Sequence, residues 1–457
     1  MHKSLARSAG KTSSGAVPLH MVTAKAAKTF LAAAKNRAGL AAAGFSGREG
    51  ELLPLTVGSK VAAWVLGLGE GADAFAAATF AEKLPDGLYR LGETAKAQDG
   101  GNAALAWLLG RYGFSRYKTA KKNAPRLVVP DGVDGEEVSR IAEAVFLARD
   151  LINTPANDLG PDDLAAAARA LAAAHGAKLG VIKGAALKRD FPLIEAVGRG
   201  SARPPCLIDL TWGNPKAPRV TLVGKGVCFD TGGLDLKPSA GMLTMKKDMG
   251  GAAVALAAAA MVMGAKLNLR LRVLIPAVEN AVSGSAIRPG DVFKSRKGLS
   301  VEIGNTDAEG RLILADALAL ADEEAPELLL DIATLTGAAR SATGMELPPF
   351  FTDDEPLAAD LSRLSMAVND PLWRLPLWQG YEFSLGSRVA DLNNNPAYGY
   401  AGAITAALFL KRFVTKTKSW AHLDIPAWND RVRPGRPIGG EANSARVIYA
   451  LLKEHYG

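Results

Sequence analysis

Asp307, Glu309 and Arg311 follow one another at two-residue spacing in the stretch 305–312, NTDAEGRL. Two carboxylates beside an arginine suit a hard divalent cation with an anion close by. Residues 299–303 pattern as a strand. Residues 312–320 are apolar on nearly every face and predict a buried helix. The acidic pair therefore falls at the carboxyl end of a strand, where open α/β sheets place their ligand sites. Helix capping by Thr306 or Asp307 fits the same residues.

Two further stretches carry groups of the same kind. Residues 223–238, VGKGVCFDTGGLDLKP, hold four glycines, Lys225, Lys237, Asp230 and Asp235. One reading is a phosphate-binding loop, although the G-x-x-x-x-G-K-[ST] pattern is absent. Another is a hydrolytic site, with Asp230 on a metal and a lysine facing developing negative charge. A third is a glycine-rich connection with solvated lysines. In residues 245–252, MKKDMGGA, Asp248 precedes an expected helix and suits either an N-cap or a ligand. If Asp230, Asp248, Asp307 and Glu309 converged, they would repel one another unless cations bridged them. Two divalent metals ~3.5–4 Å apart would do so. The five histidines form no HxxxH or HxH pattern, so oxygen ligands are expected to dominate any metal site.

The elements that must position these groups alternate between strand and helix. In the first part, a helix is expected over 23–43, strands over 61–68, 88–91 and 126–129, and a helix over 102–112. This makes a small α/β domain without a catalytic constellation. A break at 130–132 precedes a long amphipathic helix over 136–152. Beyond it come helices over 162–174 and 251–263. Strands are expected over 178–182, 194–197, 206–212, 219–224, 267–275 and 328–335. The fold class is therefore α/β: a small N-terminal domain, residues 1–132, and a larger catalytic domain, residues 133–457, with a mixed doubly wound sheet. The latter begins with the long connector helix. Residues 1–17 are expected to be a flexible tail.

The chain has 457 residues, 48% of them hydrophobic, enough for two domains with a large core. The longest apolar run, 252–265, is too short for a membrane span. Cys206 and Cys228 make no disulfide framework and read as buried free thiols. The net charge is +8, and the first 48 residues carry eight basic residues and no acidic one. A transit peptide and a nucleic-acid-binding face both fit that bias. A short basic tail and a solvated face fit it with fewer assumptions. No signal-peptide core is seen, so a cytoplasmic protein is expected.

The octapeptide 305–312 resembles the signature of the leucyl aminopeptidase family, the dimetal cytosol aminopeptidases. Residues 223–238 and 245–252 are similar to that family too. So are 149–161 (RDLINTPANDLGP), 331–338 (DIATLTGA), 401–408 (AGAITAAL) and 420–425 (WAHLDI), in the same order. The resemblance implies one metal on Lys225, Asp230, Asp248 and Glu309. It implies a second, more exchangeable metal on Asp230, Asp307 and Glu309, with the carbonyl of Asp307. The ions would be Zn or Mn, two per subunit. Lys237 would polarise the scissile carbonyl, and Arg311 would hold a bicarbonate serving as general base. Asp248 would steady the α-amino group of the substrate. Met245, Thr334 and Gly337 would line the pocket for the first side chain, and the backbone of Leu335 would contact the substrate. The expected activity is release of N-terminal residues, preferably apolar ones such as leucine, from peptides by a homohexamer. A DNA-binding or assembly role on the same scaffold is the alternative. Lys247 and the segment 393–400 (NNNPAYGY) depart from the family pattern close to these positions.

Overall fold

The structure is a computed structural model that describes residues 1–7, 15–33, 35–71, 73–93, 99–119 and 124–457. The chain forms two compact units. One is Met1–Phe146 with Arg431–Ile438, and the other is Leu147–Asp430 with Gly439–Gly457. The division falls inside the connector helix Gly135–Asn153, later than the expected residue 132. The first half of that helix is held by the N-terminal unit. Ser139 Oγ accepts from His2 N at 2.8 Å, and the Phe146 ring meets His2 and Tyr112. The return of residues 431–438 to the first unit is a long-range event that no local pattern announces.

The N-terminal unit is built on a six-stranded sheet. Its strands are β1 (Leu5–Ala6), β2 (Val17–Val22), β3 (Leu52–Val57), β4 (Lys60–Gly67), β5 (Leu88–Leu91) and β6 (Arg126–Val128), in the order β1-β6-β5-β2-β4-β3. Only the hairpin β3–β4 is antiparallel. The expected tail is corrected here. Leu5 and Ala6 are buried and pair with Leu127 and Val128, so two apolar residues in a basic context suffice for an edge strand. Residues 8–14 of that tail lie outside the described residues. The helix expected over 23–43 is also broken. Thr23 caps a helix Ala24–Ala32, and a second, Ala38–Ala42, follows a short 3₁₀ turn.

The catalytic unit carries the expected mixed sheet. It comprises β7 (Lys178–Lys183), β8 (Cys206–Gly213), β9 (Arg219–Gly224), β10 (Gly226–Asp230), β11 (Arg270–Asn280), β14 (Leu328–Ala333), β15 (Pro349–Phe351), β16 (Trp373–Arg374) and β18 (Trp420–Asp424). The main path runs β16-β15-β18-β14-β9-β11-β8-β7, and β10 pairs with the far end of β11. The centre, β18-β14-β9-β11, is parallel, and β8 and β15 run against it. Strands β12 (Val292–Lys294), β13 (Ser300–Glu302) and β17 (Leu392–Asn393) form a separate small sheet. The strand before the acidic pair, β13, belongs to this small sheet and not to the main one. Residues 194–197, expected as a strand, lie in the helix Pro192–Gly198. Proline at its start and the carboxylate of Asp316, which accepts from Leu193 N at 2.8 Å, favour the helix over an ambiguous apolar run.

The helix Gly250–Ala265 is buried almost throughout and lies against β9 and β14. With the 3₁₀ turn Met245–Met249 before it, it makes a 21-residue apolar run long enough to cross a membrane. Of its most apolar window, 83% is buried inside the protein, so this is the core helix. Its close approach depends on Gly251. A Cβ there would lie 2.0 Å from the carbonyl oxygen of Ile332 and 2.9 Å from the backbone nitrogen of Lys225. Neither atom can rotate away. Gly251→Ala is therefore expected to destabilise the catalytic unit by about 3 kcal/mol, read as a lower urea midpoint. An unchanged midpoint would show that the helix can retreat from the sheet.

Candidate metal centre

Strand β9 ends at Gly224 and β10 begins at Gly226, so Lys225 sits in the break. Its backbone is pinned on both sides: Lys225 N donates to Ile332 O at 3.0 Å, and Ala252 N donates to Lys225 O at 2.9 Å. The side chain runs inward. Its Nζ lies 2.8 Å from Asp248 Oδ2 and 2.9 Å from Glu309 Oε1, and donates to Thr334 O at 2.9 Å. Gly310 makes room for it, since a Cβ there would stand 2.5 Å from Lys225 Cε.

Asp230 closes β10. Its Oδ1 accepts from Gly232 N and from Asn280 Nδ2, both at 2.8 Å, and its Oδ2 lies 2.8 Å from Lys237 Nζ. Lys237 also pairs with Asp307. The loop after β10 and the loop before Asp307 are joined through Thr306. Its hydroxyl donates to Gly232 O at 2.6 Å and accepts from Asp235 N at 2.8 Å. This use of Thr306 removes the capping reading. The helix Glu309–Glu323 starts after Ala308 with no side-chain cap. The phosphate-loop reading fails as well. Both lysines of that stretch are held by carboxylates, and the glycines lead to a four-residue helix, Ser239–Met242.

Four carboxylates thus meet two ammonium groups. Oxygens of Asp230, Asp307 and Glu309 lie within 4.8 Å of one another, and Glu309 Oε2 is buried with no hydrogen-bond partner. A buried carboxylate oxygen without a donor is costly unless a cation completes it. An all-oxygen group with one amine nitrogen fits a hard or borderline divalent ion. The field points the same way. Burial, then the charge of Asp230, pushes the Glu309 carboxyl up to about 8. Burial and Asp248 raise Asp230. Burial pulls the Lys225 ammonium down, but Asp248, Glu309 and Asp230 outweigh it and hold it above its ordinary value. The two lysines stand where cationic charge is needed.

The structure brings the remaining candidates to the same region. Thr334 Oγ1 donates to Asp248 Oδ1 at 2.8 Å, and Leu335 N donates to Asp424 Oδ1 at 3.0 Å. Met245 is buried in the turn that holds Asp248, and Gly337 opens the helix Gly337–Thr343. Arg311 is buried and donates from Nη1 to Asn394 O at 2.7 Å; burial lowers its guanidinium to about 10. Sequence reasoning missed Asn280, Asn394 and Asp424. Asn394 accepts from Gly304 N at 2.8 Å and donates to Asn305 O at 2.8 Å, and so holds the loop that carries Asp307. A run of three asparagines at 393–395 was the available signal. Asn280 and Asp424 lie at strand ends, where nothing in the local pattern separates them from solvated polar residues.

A mixed α/β sheet with buried carboxylates and lysines gathered beside its parallel strands fits a metal-dependent hydrolase. Residues 146–449 match the catalytic domain of the cytosol aminopeptidase family, and residues 17–130 match the M17 aminopeptidase N-terminal domain. The chain belongs to the cytosol aminopeptidase family and is a leucyl aminopeptidase-type enzyme with a divalent metal cofactor and peptide substrates. It is 42% identical over 366 residues to a probable cytosol aminopeptidase of Syntrophotalea carbinolica, covering 76% of this chain and 73% of the relative. The cytosol aminopeptidase of Coxiella burnetii has a similar structure, with a TM-score of 0.94 and 44% identity over 100% of both chains. The bottromycin maturation enzyme BotP in complex with Mn is similar at a TM-score of 0.86 and 36% identity, over 96% of this chain and 99% of that one.

Proposed function

We propose that this enzyme releases N-terminal residues from peptides at a centre of two divalent metals, Zn or Mn, held by Lys225, Asp230, Asp248, Asp307 and Glu309. The observation that carries this reading is the buried, partnerless Glu309 Oε2 among carboxylate oxygens within 4.8 Å of one another. Bound there, the ions would supply Lewis acidity and a water of lowered pKa. The chain's own groups do the rest. Asp248, fixed by Lys225 and Thr334, offers a carboxylate to the free α-amino group of the substrate. Lys237 presents a positive charge to the carbonyl oxygen as it becomes anionic. Burial lowers the Lys237 ammonium, but Asp230 more than offsets it, so the charge is held. Arg311 spends one bond on Asn394 O and keeps its other donors for an anion; we assign it a bicarbonate that takes and returns the proton. Met245, Thr334 and Gly337 line the place of the first side chain, where an apolar residue such as leucine is accepted, and Leu335 contacts the substrate through its backbone. The cytoplasm is the proposed compartment and a homohexamer the proposed assembly, both as the family resemblance implies.

The test is hydrolysis of leucyl-p-nitroanilide after chelation and again after adding Mn²⁺ or Zn²⁺, alongside Asp307→Ala. Activity restored by metal in the wild type and absent in the variant is expected. Full activity after exhaustive chelation, or in the variant, would overturn the reading.

A further inference from the structure

Asp424 is a buried carboxylate that the proposed chemistry leaves unused. It ends β18, is 2% exposed, and pairs in register with Ala333 at the end of β14. Ile425 N still donates to Ala333 O at 2.8 Å, so the two strands stay paired up to the point where β14 gives way to a loop. That loop, residues 334–336, carries the backbone assigned to the substrate. Asp424 holds it through three donors. Its Oδ1 accepts from Leu335 N at 3.0 Å and from Thr336 N at 3.2 Å, and its Oδ2 accepts from Thr336 Oγ1 at 2.7 Å. Thr336 Oγ1 in turn accepts from Ala339 N at 3.0 Å and caps the helix Gly337–Thr343.

These bonds fix the direction of two peptide planes. In a trans peptide the carbonyl points away from its own N–H. With Leu335 N–H on Asp424, the Thr334 carbonyl faces the other way, where it accepts from Lys225 Nζ at 2.9 Å. With Thr336 N–H on the same oxygen, the Leu335 carbonyl is turned away from Asp424 as well. Among the described residues no donor reaches that carbonyl. We propose that Asp424 is a positioning residue: it touches no reacting atom, and it aims the Leu335 peptide so that its carbonyl accepts from an N–H of the substrate. The inference rests on the reading of Leu335 given above. A carboxylate suits the task because one of its oxygens can take two adjacent amides while the other takes the hydroxyl.

The experiment measures kcat, KM, bound metal and the urea midpoint of metal-loaded variants with leucyl-p-nitroanilide. Asp424→Ala should raise KM at least ~10-fold and leave kcat within ~3-fold, because a hydrogen bond made to bound substrate and transition state alike is uniform binding. Bound metal after gel filtration should be unchanged, since Lys225 keeps Asp248 and Glu309. Asp424→Asn should return KM to within ~3-fold of wild type, its carbonyl oxygen taking the amides and its NH2 donating to Thr336 Oγ1. A role confined to stability would lower the midpoint and leave KM alone. A wild-type KM in Asp424→Ala, loss of metal and kcat together, or Asp424→Asn no better than Asp424→Ala would overturn the proposal and leave the aminopeptidase reading standing. Should Asp424→Ala fail to fold, Thr336→Val decides: it removes the donor that orients Oδ2, and KM should rise at least ~3-fold. An unchanged KM there would overturn the proposal. No hydrolysis by metal-loaded wild type would overturn the aminopeptidase reading itself.

Discussion

Glu309→Gln is expected to lower kcat/KM for leucyl-p-nitroanilide on the order of 10³-fold, even with metal in excess, because a metal ligand is worth several kcal/mol of transition-state stabilisation. The side chain keeps its volume and its contact with Lys225 but loses the charge that the centre is built to share. Bound metal, measured after gel filtration, should fall with activity. Stability should separate function from folding. In the metal-free protein burial and Asp230 hold the Glu309 carboxyl up at about 8, far above a free glutamate. A carboxyl raised in the folded state contributes stability at low pH and loses it as pH rises through the folded value. Metal-free wild type should therefore weaken between about pH 4.5 and pH 8, and Glu309→Gln should weaken less. Added Mn²⁺ should restore wild type and not the variant. A variant that retains metal and turns over normally would remove Glu309 from the ligand set.

Lys237→Met should reduce kcat by about 10² to 10³-fold with little change in KM, the signature of a group that acts in the transition state. The side chain is partly exposed, and its Nζ lies 2.8 Å from Asp230 Oδ2 and beside Asp307. Metal content discriminates between two ways of losing activity. If metal is retained while kcat falls, the ammonium acts on the carbonyl oxygen. If metal is lost as well, Lys237 serves to hold Asp230 and Asp307 in place, and its assigned role fails.

The types of the reacting groups were legible without coordinates. Asp230, Asp248, Asp307 and Glu309 lie at element ends, and no histidine pattern competes with them. Local strand and helix periods were enough for a mixed α/β sheet, because those periods need no long-range information. A lysine as a metal-site residue came from family resemblance, since spacing has no means of showing that Lys225 turns inward at a strand break. Tertiary structure decided what local pattern could not. The run 194–197 became a helix because Asp316, far along the chain, supplies the carboxylate at its start. Leu5 and Ala6 became a strand because Leu127 and Val128 offered an open edge.

The same division holds within the site. Sequence alone determined which residues bear charge, and it offered divalent cations as what would reconcile the acids if they converged. Only the fold decided that Thr306 stitches two loops instead of capping a helix, and that Asn394 holds Arg311. It also decided that Lys247 is buried in the turn before Asp248. Each of these outcomes is a matter of which hydrogen-bonding groups remain unclaimed after packing, and that is a property of the whole chain in three dimensions.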